Sequence, residues 1–231
     1  MAQRSVIVTG GFGALGRVVA AAFAARGDKV ARIDAYPEAH EPIAGVLDLG
    51  GVDLTDAAAA SKAVDQAAQA LGGIDTLVNI AGGFVWEPLQ DGAVDTWSQM
   101  FARNLVSNAN ITKAVLPALK ARPDARIINI GANAAQQAGA GMGAYAASKA
   151  AVHKLTESLA AELAKDDVTV NAILPSIIDT PANRADMPKA DVSQWVQPQA
   201  IAEVILFLAS PASRAITGAL IPVTRGDPVR G

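Results

Sequence analysis

Ser5-Val6-Ile7-Val8-Thr9-Gly10-Gly11-Phe12-Gly13-Ala14-Leu15-Gly16 reads as a short strand, a glycine-rich turn and the start of a helix, and this succession decides the fold. Ser5 to Val8 is an apolar, β-branched run with no polar alternation, as expected of a parallel strand covered on both faces. Apolar residues then recur at helical spacing from Ala14 to Arg26, and Gly27-Asp28 closes the segment. Between the two, Gly11, Gly13 and Gly16 fit the GxGxxG pattern, in which backbone N–H groups and the positive end of the helix can hold a pyrophosphate.

Lys29 to Ile33 is a second strand ending at Asp34, 18 residues beyond Gly16. That is close to the spacing of about 20 residues at which a carboxylate takes the ribose hydroxyls of a dinucleotide. Gly10, Phe12, Gly13, Leu15, Gly16 and Asp34 are therefore candidate cofactor-binding residues. A carboxylate at this place repels a 2′-phosphate, and the turn from Gly10 to Gly16 supplies no Lys or Arg, so NAD(H) is favoured. Arg17 at the helix start and Arg32, two residues before Asp34 on the same strand face, keep NADP(H) open.

Further along, short apolar runs go on alternating with helical patterns. A weak third strand is expected near Val46 to Leu54, followed by a helix from Ala57 to Leu71 with Asp56 as N-cap and Gly72-Gly73 as stop. Ile74 to Ile80 reads as strand four, Val94 to Leu119 as a long helix bent or ended by Pro117, and Arg126 to Ile130 as strand five. A helix starting near Tyr145 runs to about Lys165, strand six is Val168 to Leu174, a helix spans Pro198 to Ala209, and Leu220 to Val223 closes the sheet. The pattern predicts an α/β fold, a doubly wound parallel sheet with helices on both faces, formed by one domain over residues 1–231. Pro175 to Gln197 is long for a loop without secondary structure, as lids and binding loops are.

Composition narrows the chemistry. The chain has no cysteine and only His40 and His153, which excludes disulfides, thiolate ligands and cysteine nucleophiles and argues against a histidine-built metal site. The net charge of −3 has no block structure or basic stripe, so small molecules are expected as partners rather than nucleic acid. The N-terminus enters its first strand without a signal-peptide core or membrane span, and a cytoplasmic protein is expected.

Tyr145-Ala146-Ala147-Ser148-Lys149 carries the chemistry. Positions i and i+4 share one face of a helix, so Tyr145 and Lys149 can act on one ligand. A phenol titrates near about 10, and a nearby cation is expected to favour its ionised form, which suits it to proton transfer. His153, farther along the same helix, reads as structural. Of the tryptophans, Trp97 reads as helix packing, whereas Trp86 and Trp195 sit where they could line a pocket. Asp179 and Arg184 read as an ion pair within their loop.

Taken in order, the glycine turn, Asp34 and the Tyr145/Lys149 pair resemble the short-chain dehydrogenase/reductase family over nearly the whole chain. The resemblance implies a Rossmann-type fold with a seven-stranded parallel sheet. It makes Tyr145, Lys149 and Asn104 the catalytic residues, with Asn104 anchoring a water of the proton relay. It also makes Asp53-Leu54 an adenine contact, Asn79-Ile80-Ala81-Gly82 the element after strand four, with Ala81 and Gly82 at the cofactor, and Asn171 to Pro175 the strand-six element. Pro175, Ile178 and Thr180 are then at the nicotinamide, and Tyr145 and Lys149 also bind the cofactor. Ile216-Thr217-Gly218 resembles the turn before the last strand, and assembly as a homodimer or homotetramer through the fourth and fifth helices is implied. Ala14, Ile80 and Ser176 depart from the family pattern, which has Gly, Asn and Gly there.

A larger departure is Ala132. Family members commonly carry a serine 13 residues before the tyrosine, holding the substrate oxygen, and alanine cannot donate that bond. Losing one such donor costs about 10²–10³ in rate for chemistry that builds an oxyanion. If the chain is extended there, the amide of Asn133 points to the other side and substitutes only if the loop bends. Dihydropteridine reductases share the alanine, and the segment from Leu174 through Asn183-Arg184 and Met187-Pro188 to Trp195 resembles their loop, as do Ala81-Gly82-Gly83 and Ala150 to Leu155. Their quinonoid substrate offers a conjugated C=N system, so no charge need build on a carbonyl oxygen. The expected activity is an NAD(P)H-dependent reduction of that type. The alternatives are an alcohol dehydrogenase or ketoreductase working without the serine, and a dinucleotide-binding sensor whose catalysis is reduced.

Overall fold

The computed structural model describes residues 3–225. Seven strands form one parallel sheet: β1 (Ser5–Thr9), β2 (Lys29–Ile33), β3 (Leu47–Leu49), β4 (Thr76–Asn79), β5 (Ala125–Ile130), β6 (Val168–Pro175) and β7 (Leu220–Val223), in the order β3-β2-β1-β4-β5-β6-β7. All pairings are parallel, with Thr9 opposite both Ile33 and Asn79. The chain builds outward from β1 to β3 and then resumes on the other side at β4. This reversal opens a crevice beyond the carboxyl ends of β1 and β4, where open parallel sheets bind ligands.

Alternating side chains of the strands feed two apolar layers. Ile7, Leu77 and Ile127 pack with α2 (Ala57–Leu71), α4 (Ser107–Lys120) and α5 (Gly143–Glu162), while Val6, Val8, Val30 and Ile128 pack with α1 (Ala14–Ala25) and α7 (Pro198–Leu208). Leu15, Val19 and Phe23 are the buried stripe of α1, and Ile201 and Ile205 that of α7. Each such side chain taken from water contributes roughly 1.5–3 kcal/mol.

Several boundaries fall where local chemistry puts them. Asp56 caps α2 by accepting from the Ala58 N–H at 2.8 Å, and Gly72 stops it at φ 80. Several expectations need correction, and strand four is shorter than expected, at Thr76–Asn79. The third strand shrinks to Leu47–Leu49 because Gly45 and Gly51 turn the chain at positive φ on either side. The long helix is α3 (Asp95–Phe101), a π-helical turn (Ala102–Val106) and α4, and Pro117 lies inside α4 rather than ending it. The helix bearing Tyr145 stops at Glu162. The loop from Pro175 to Gln197 is not irregular throughout: it contains α6 (Pro181–Asp186) and a 3₁₀ turn (Val192–Gln194). The Val196 N–H to Ile177 O and Asp179 N–H to Val196 O bonds stitch it together, and Trp195 is buried within it rather than lining a pocket.

The two ends of the sheet differ. Beneath the crevice, the two N–H donors of the Asn79 amide are shared among Asn108, Thr112 and Asn129, and Asn129 donates to Thr156, so α4 and α5 are keyed to β4 and β5. At the opposite end, buried Arg4 and Arg126 converge on Asp124, which adopts φ 59, and Arg4 also donates to Thr76 at 3.2 Å. Asp75 there accepts from the Ser5 N–H at 2.7 Å.

Candidate active site

The glycine turn is a cradle closed by backbone. Gly10, at φ +62, is so close to the start of the β4 loop that a Cβ would lie 2.9 Å from the Ala81 nitrogen. A Cβ on Gly16 would overlap the Gly10 carbonyl oxygen, and one on Gly11 would come within 2.5 Å of the Arg32 Cβ. The Thr9 hydroxyl accepts from the Ile80 and Ala81 N–H groups, 3.1 Å each, tying β1 to the same loop. Gly13 caps α1 without a side-chain acceptor, so the N–H groups of the first helical turn are left for a ligand. The exposed Gly13 and half-buried Phe12 face this turn's surface, whereas Leu15 is buried beneath it. Open backbone donors around side-chain-free positions fit a pyrophosphate.

Asp34 lies beside this cradle. Its carboxylate accepts from the Phe12 N–H at 2.9 Å and the Tyr36 N–H at 3.1 Å. Of the two cations expected to keep a 2′-phosphate acceptable, Arg32 is committed elsewhere and Arg17 is held only in an exposed pair. Arg32 is fully buried, bidentate to Asp48 at 2.7 Å through each nitrogen and stacked on Phe12, with its guanidinium carbon 5.1 Å from the ring centre. Arg17 pairs with Glu41 at 2.8 Å. Asp53 is exposed and holds the Thr55 N–H and hydroxyl, which lowers its pKa. The Leu54 side chain is buried in the core, and its carbonyl accepts from Asn110 at 3.0 Å.

Tyr145, Lys149, Asn104 and Gly82 are brought together. A Cβ on Gly82 would overlap the Asn104 amide oxygen and lie 3.5 Å from Lys149 Nζ. Asn104, on the π-helical turn, accepts from the Gly83 N–H at 2.9 Å and donates to the Gly83 carbonyl at 3.1 Å and to Ser148 Oγ at 2.9 Å. Ser148 in turn donates to the Tyr145 carbonyl at 2.7 Å. The side chain of Asn104 is thus committed to protein groups, and Ser148, lying inside the Tyr145 motif, is a link the sequence reading passed over. Spacing signals it, since a serine three residues on can back-bond to a helical carbonyl.

One electrostatic expectation is corrected. Burial alone pushes the Tyr145 phenol up to about 12. The Lys149 ammonium donates to the Ile130 carbonyl at 2.7 Å, and desolvation lowers its pKa to about 8. The removal of water outweighs any help the ammonium gives the phenolate. A measurable consequence follows for stability. Between 8 and 10.5 the unfolded chain binds the lysine proton that the folded chain has released, so folded stability rises with pH in that window and the cost of burying the ammonium is fully present below it. Lys149→Met should melt roughly 3–8 °C above the parent near about pH 7, partly offset by the lost Ile130 bond, with the gap closing by about pH 10. Thermal melts across this range check it; a variant melting no higher at neutral pH refutes the burial cost.

Ala132 is buried and extended, and its N–H donates to His153 Nε2 at 3.3 Å. His153 packs under Gly131, where a Cβ would come within 2.5 Å of Nε2, and burial followed by the charge of Lys149 lowers its pKa. It is therefore a neutral structural acceptor. The chain does bend after Ala132, into a 3₁₀ turn over Asn133–Ala135. Thr180 caps α6 by accepting from the Asn183 N–H at 3.2 Å, and the Ile178 carbonyl accepts from the Asn183 amide at 2.7 Å. Pro175 ends β6 at the rim. Asp179 and Arg184 form the expected loop ion pair, bidentate at 2.5 and 2.8 Å, and Asp179 is lowered to about 2 by Arg184 and then Gln197. Among the described residues no group of acidic, histidine or cysteine side chains could hold a metal ion, and no helix is long and apolar enough to cross a membrane.

The family model described as short chain dehydrogenase matches residues 4–191. The chain is 33% identical to the 2,5-dichloro-2,5-cyclohexadiene-1,4-diol dehydrogenase LinX of Sphingobium indicum, over 98% of this chain and 96% of that protein. It is 31% identical to the 3-oxoacyl-(acyl-carrier-protein) reductase FabG of Vibrio cholerae, with 95% of each covered. Among solved structures it is similar to an NAD⁺-bound xylitol dehydrogenase, with a TM-score of 0.88, 27% identity, and 96% of this chain and 97% of that chain covered.

Proposed function

The chain belongs to the short-chain dehydrogenase family, whose members use NAD(P) and act on small molecules, and we propose that it is an NAD(H)-dependent reductase of a conjugated C=N substrate of the quinonoid dihydropteridine type. The observation that carries this reading is Ala132. At the place read as that of the family serine, the chain presents a buried methyl whose backbone is pinned by His153, and no hydroxyl donor. A substrate that builds charge on an oxygen meets no hydroxyl from residue 132, whereas a conjugated C=N does not require that donor.

The cofactor supplies the hydride when bound. Gly10, Phe12, Gly13, Leu15 and Gly16 would hold its pyrophosphate, Asp34 its adenosine ribose, Asp53 and the Leu54 backbone its adenine, and Ala81, Gly82, Pro175, Ile178 and Thr180 its nicotinamide half. The buried, bidentate pairing of Arg32 with Asp48 supports NAD(H) over NADP(H), because that cation is not left to face a 2′-phosphate, and Arg17 meets Glu41 only in an exposed surface pair. Tyr145 keeps its proton through the neutral range and is the proton donor. Lys149, whose ammonium is held on the Ile130 carbonyl, orients the ribose. Asn104 fixes the Gly83 backbone and the Tyr145 carbonyl through Ser148, and so positions the donor.

A second reading, an alcohol dehydrogenase or ketoreductase, is favoured by the relatives, whose names describe hydroxyl and oxo substrates. One experiment separates the two. Initial rates for quinonoid dihydropterin and a panel of ketones, with NADH and with NADPH, are measured on the parent and on Ala132→Ser. The expected result is pterin turnover preferring NADH in the parent, and a ketone rate raised roughly tenfold or more by the serine while the pterin rate stays within about threefold. Good ketone turnover in the parent without pterin turnover overturns the first reading in favour of the second. Tight cofactor binding with no turnover at all assigns a sensor.

A further inference from the structure

The segment after β4 places large apolar side chains in water: Phe84 is 51% exposed and Trp86 60%. Neither is loosely held. Trp86 Nε1–H donates to the Ala140 carbonyl at 3.0 Å, and the next N–H, that of Glu87, donates to the Gly141 carbonyl at 2.8 Å. The indole lies over Gly141, which is at φ +75 and where a Cβ would come within 2.5 Å of Nε1. Gly141 is thus required twice, for its backbone conformation and for its open face. On the other side, Asn104 holds both backbone groups of Gly83. Phe84 sits between these two anchors, and its ring meets that of Tyr145 edge-on, with centroids 4.9 Å apart and planes at 81°.

A half-exposed ring on a fixed backbone beside a proton donor forgoes burial energy that a matching ligand would restore. Its neighbours define what would match. Gly82 and Gly83 present no side chains. An open-chain polar substrate would leave the Phe84 face wet, while a flat unsaturated ring covers it. We propose that Phe84 is a specificity-determining residue that packs against a planar, unsaturated ring of the substrate, and that Trp86 is a positioning residue that clasps the two loops and holds Phe84 in place. The inference rests on Tyr145 marking the reacting end of the site, and it applies whether the reduced bond is C=N or C=O.

The test compares Phe84→Ala, Phe84→Trp, Trp86→Ala and Trp86→Phe with the parent. Rates are read on quinonoid dihydropterin and 2-acetylnaphthalene as ring substrates and on 2-butanone as the open-chain one. Independently of turnover, the Kd of 6,7-dimethylpterin is measured by isothermal titration, alongside that of NADH. Phe84→Ala should raise ring-substrate KM and the pterin Kd about 10–100-fold while 2-butanone and NADH change less than about threefold, and Phe84→Trp should restore ring binding. Trp86→Ala should raise the same KM values with kcat nearly kept, and Trp86→Phe should recover part of the loss. Equal losses on ring and open-chain ligands, or no loss on either, overturn the proposal. If no substrate turns over, a ring-selective loss of pterin affinity upholds it while the reductase reading falls, and an unselective one overturns it.

Discussion

Tyr145→Phe should lower kcat by about 10³-fold or more while leaving the NADH Kd within about threefold. The substitution removes one oxygen and little else. The edge-on contact with Phe84 is made by the ring and survives in phenylalanine. The backbone carbonyl of residue 145 remains tied to Ser148 and through it to Asn104. Burial holds the phenol well above its ordinary range, at about 12, so the oxygen that is deleted is one that carries a proton at neutral pH. Stopped-flow hydride transfer and cofactor titration read the two quantities separately. A rate within about fivefold of the parent would remove Tyr145 from the chemistry.

Gly16→Ala should abolish cofactor binding at millimolar NADH, a loss of about 100-fold or more, and should lower the melting temperature by several degrees. The new methyl would overlap the Gly10 carbonyl oxygen and lie 2.8 Å from the Gly10 carbonyl carbon and the Gly11 Cα. All three are backbone atoms, so no rotamer change relieves the clash. Gly10 cannot retreat either, because it already abuts the Ala81 backbone. The turn must therefore separate from α1, which dismantles the donors grouped there. Gly13→Ala is the control: its methyl meets only the Gly10 oxygen at 3.4 Å, and the variant should keep the parent's melting temperature. Parent-like NADH affinity in Gly16→Ala would show that the cofactor binds elsewhere.

These two residues also mark how far the sequence can be read. The glycine turn, the Asp56 cap, the Gly72 stop and the bounds of β2 and α2 are local events, each dictated by a few neighbouring residues, and they are legible. The doubly wound sheet follows from the same alternation, and the structure has it in full. What was not legible depends on distant partners. The commitment of Arg32 to Asp48 exists only once β3 pairs with β2 and sets the two opposite each other. The π-helical turn leaves the run of helical residues unbroken, so periodicity shows one helix where there are two joined by a wider turn. The direction of the Tyr145 shift depends on the partial burial of its phenol in the fold, which spacing to Lys149 does not encode. Phe84 was the quietest signal, an aromatic residue following the Gly82-Gly83 pair, meaningful only when found at the ring of Tyr145.

The arginines gathered on Asp124 have a bearing on how this protein can change. Arg4, Thr76, Asp124 and Arg126 bind the far end of strands β1, β4 and β5 through buried charge, a long way along each strand from the residues that border the crevice. Changes in the crevice-end loops, away from the glycine turn and Gly141, then need not loosen the register of those strands. Substitutions at Arg4, Asp124 or Arg126 should cost more stability than substitutions at exposed positions of the crevice-end loops, so mutational tolerance should be distributed across the molecule as a gradient rather than as a uniform background.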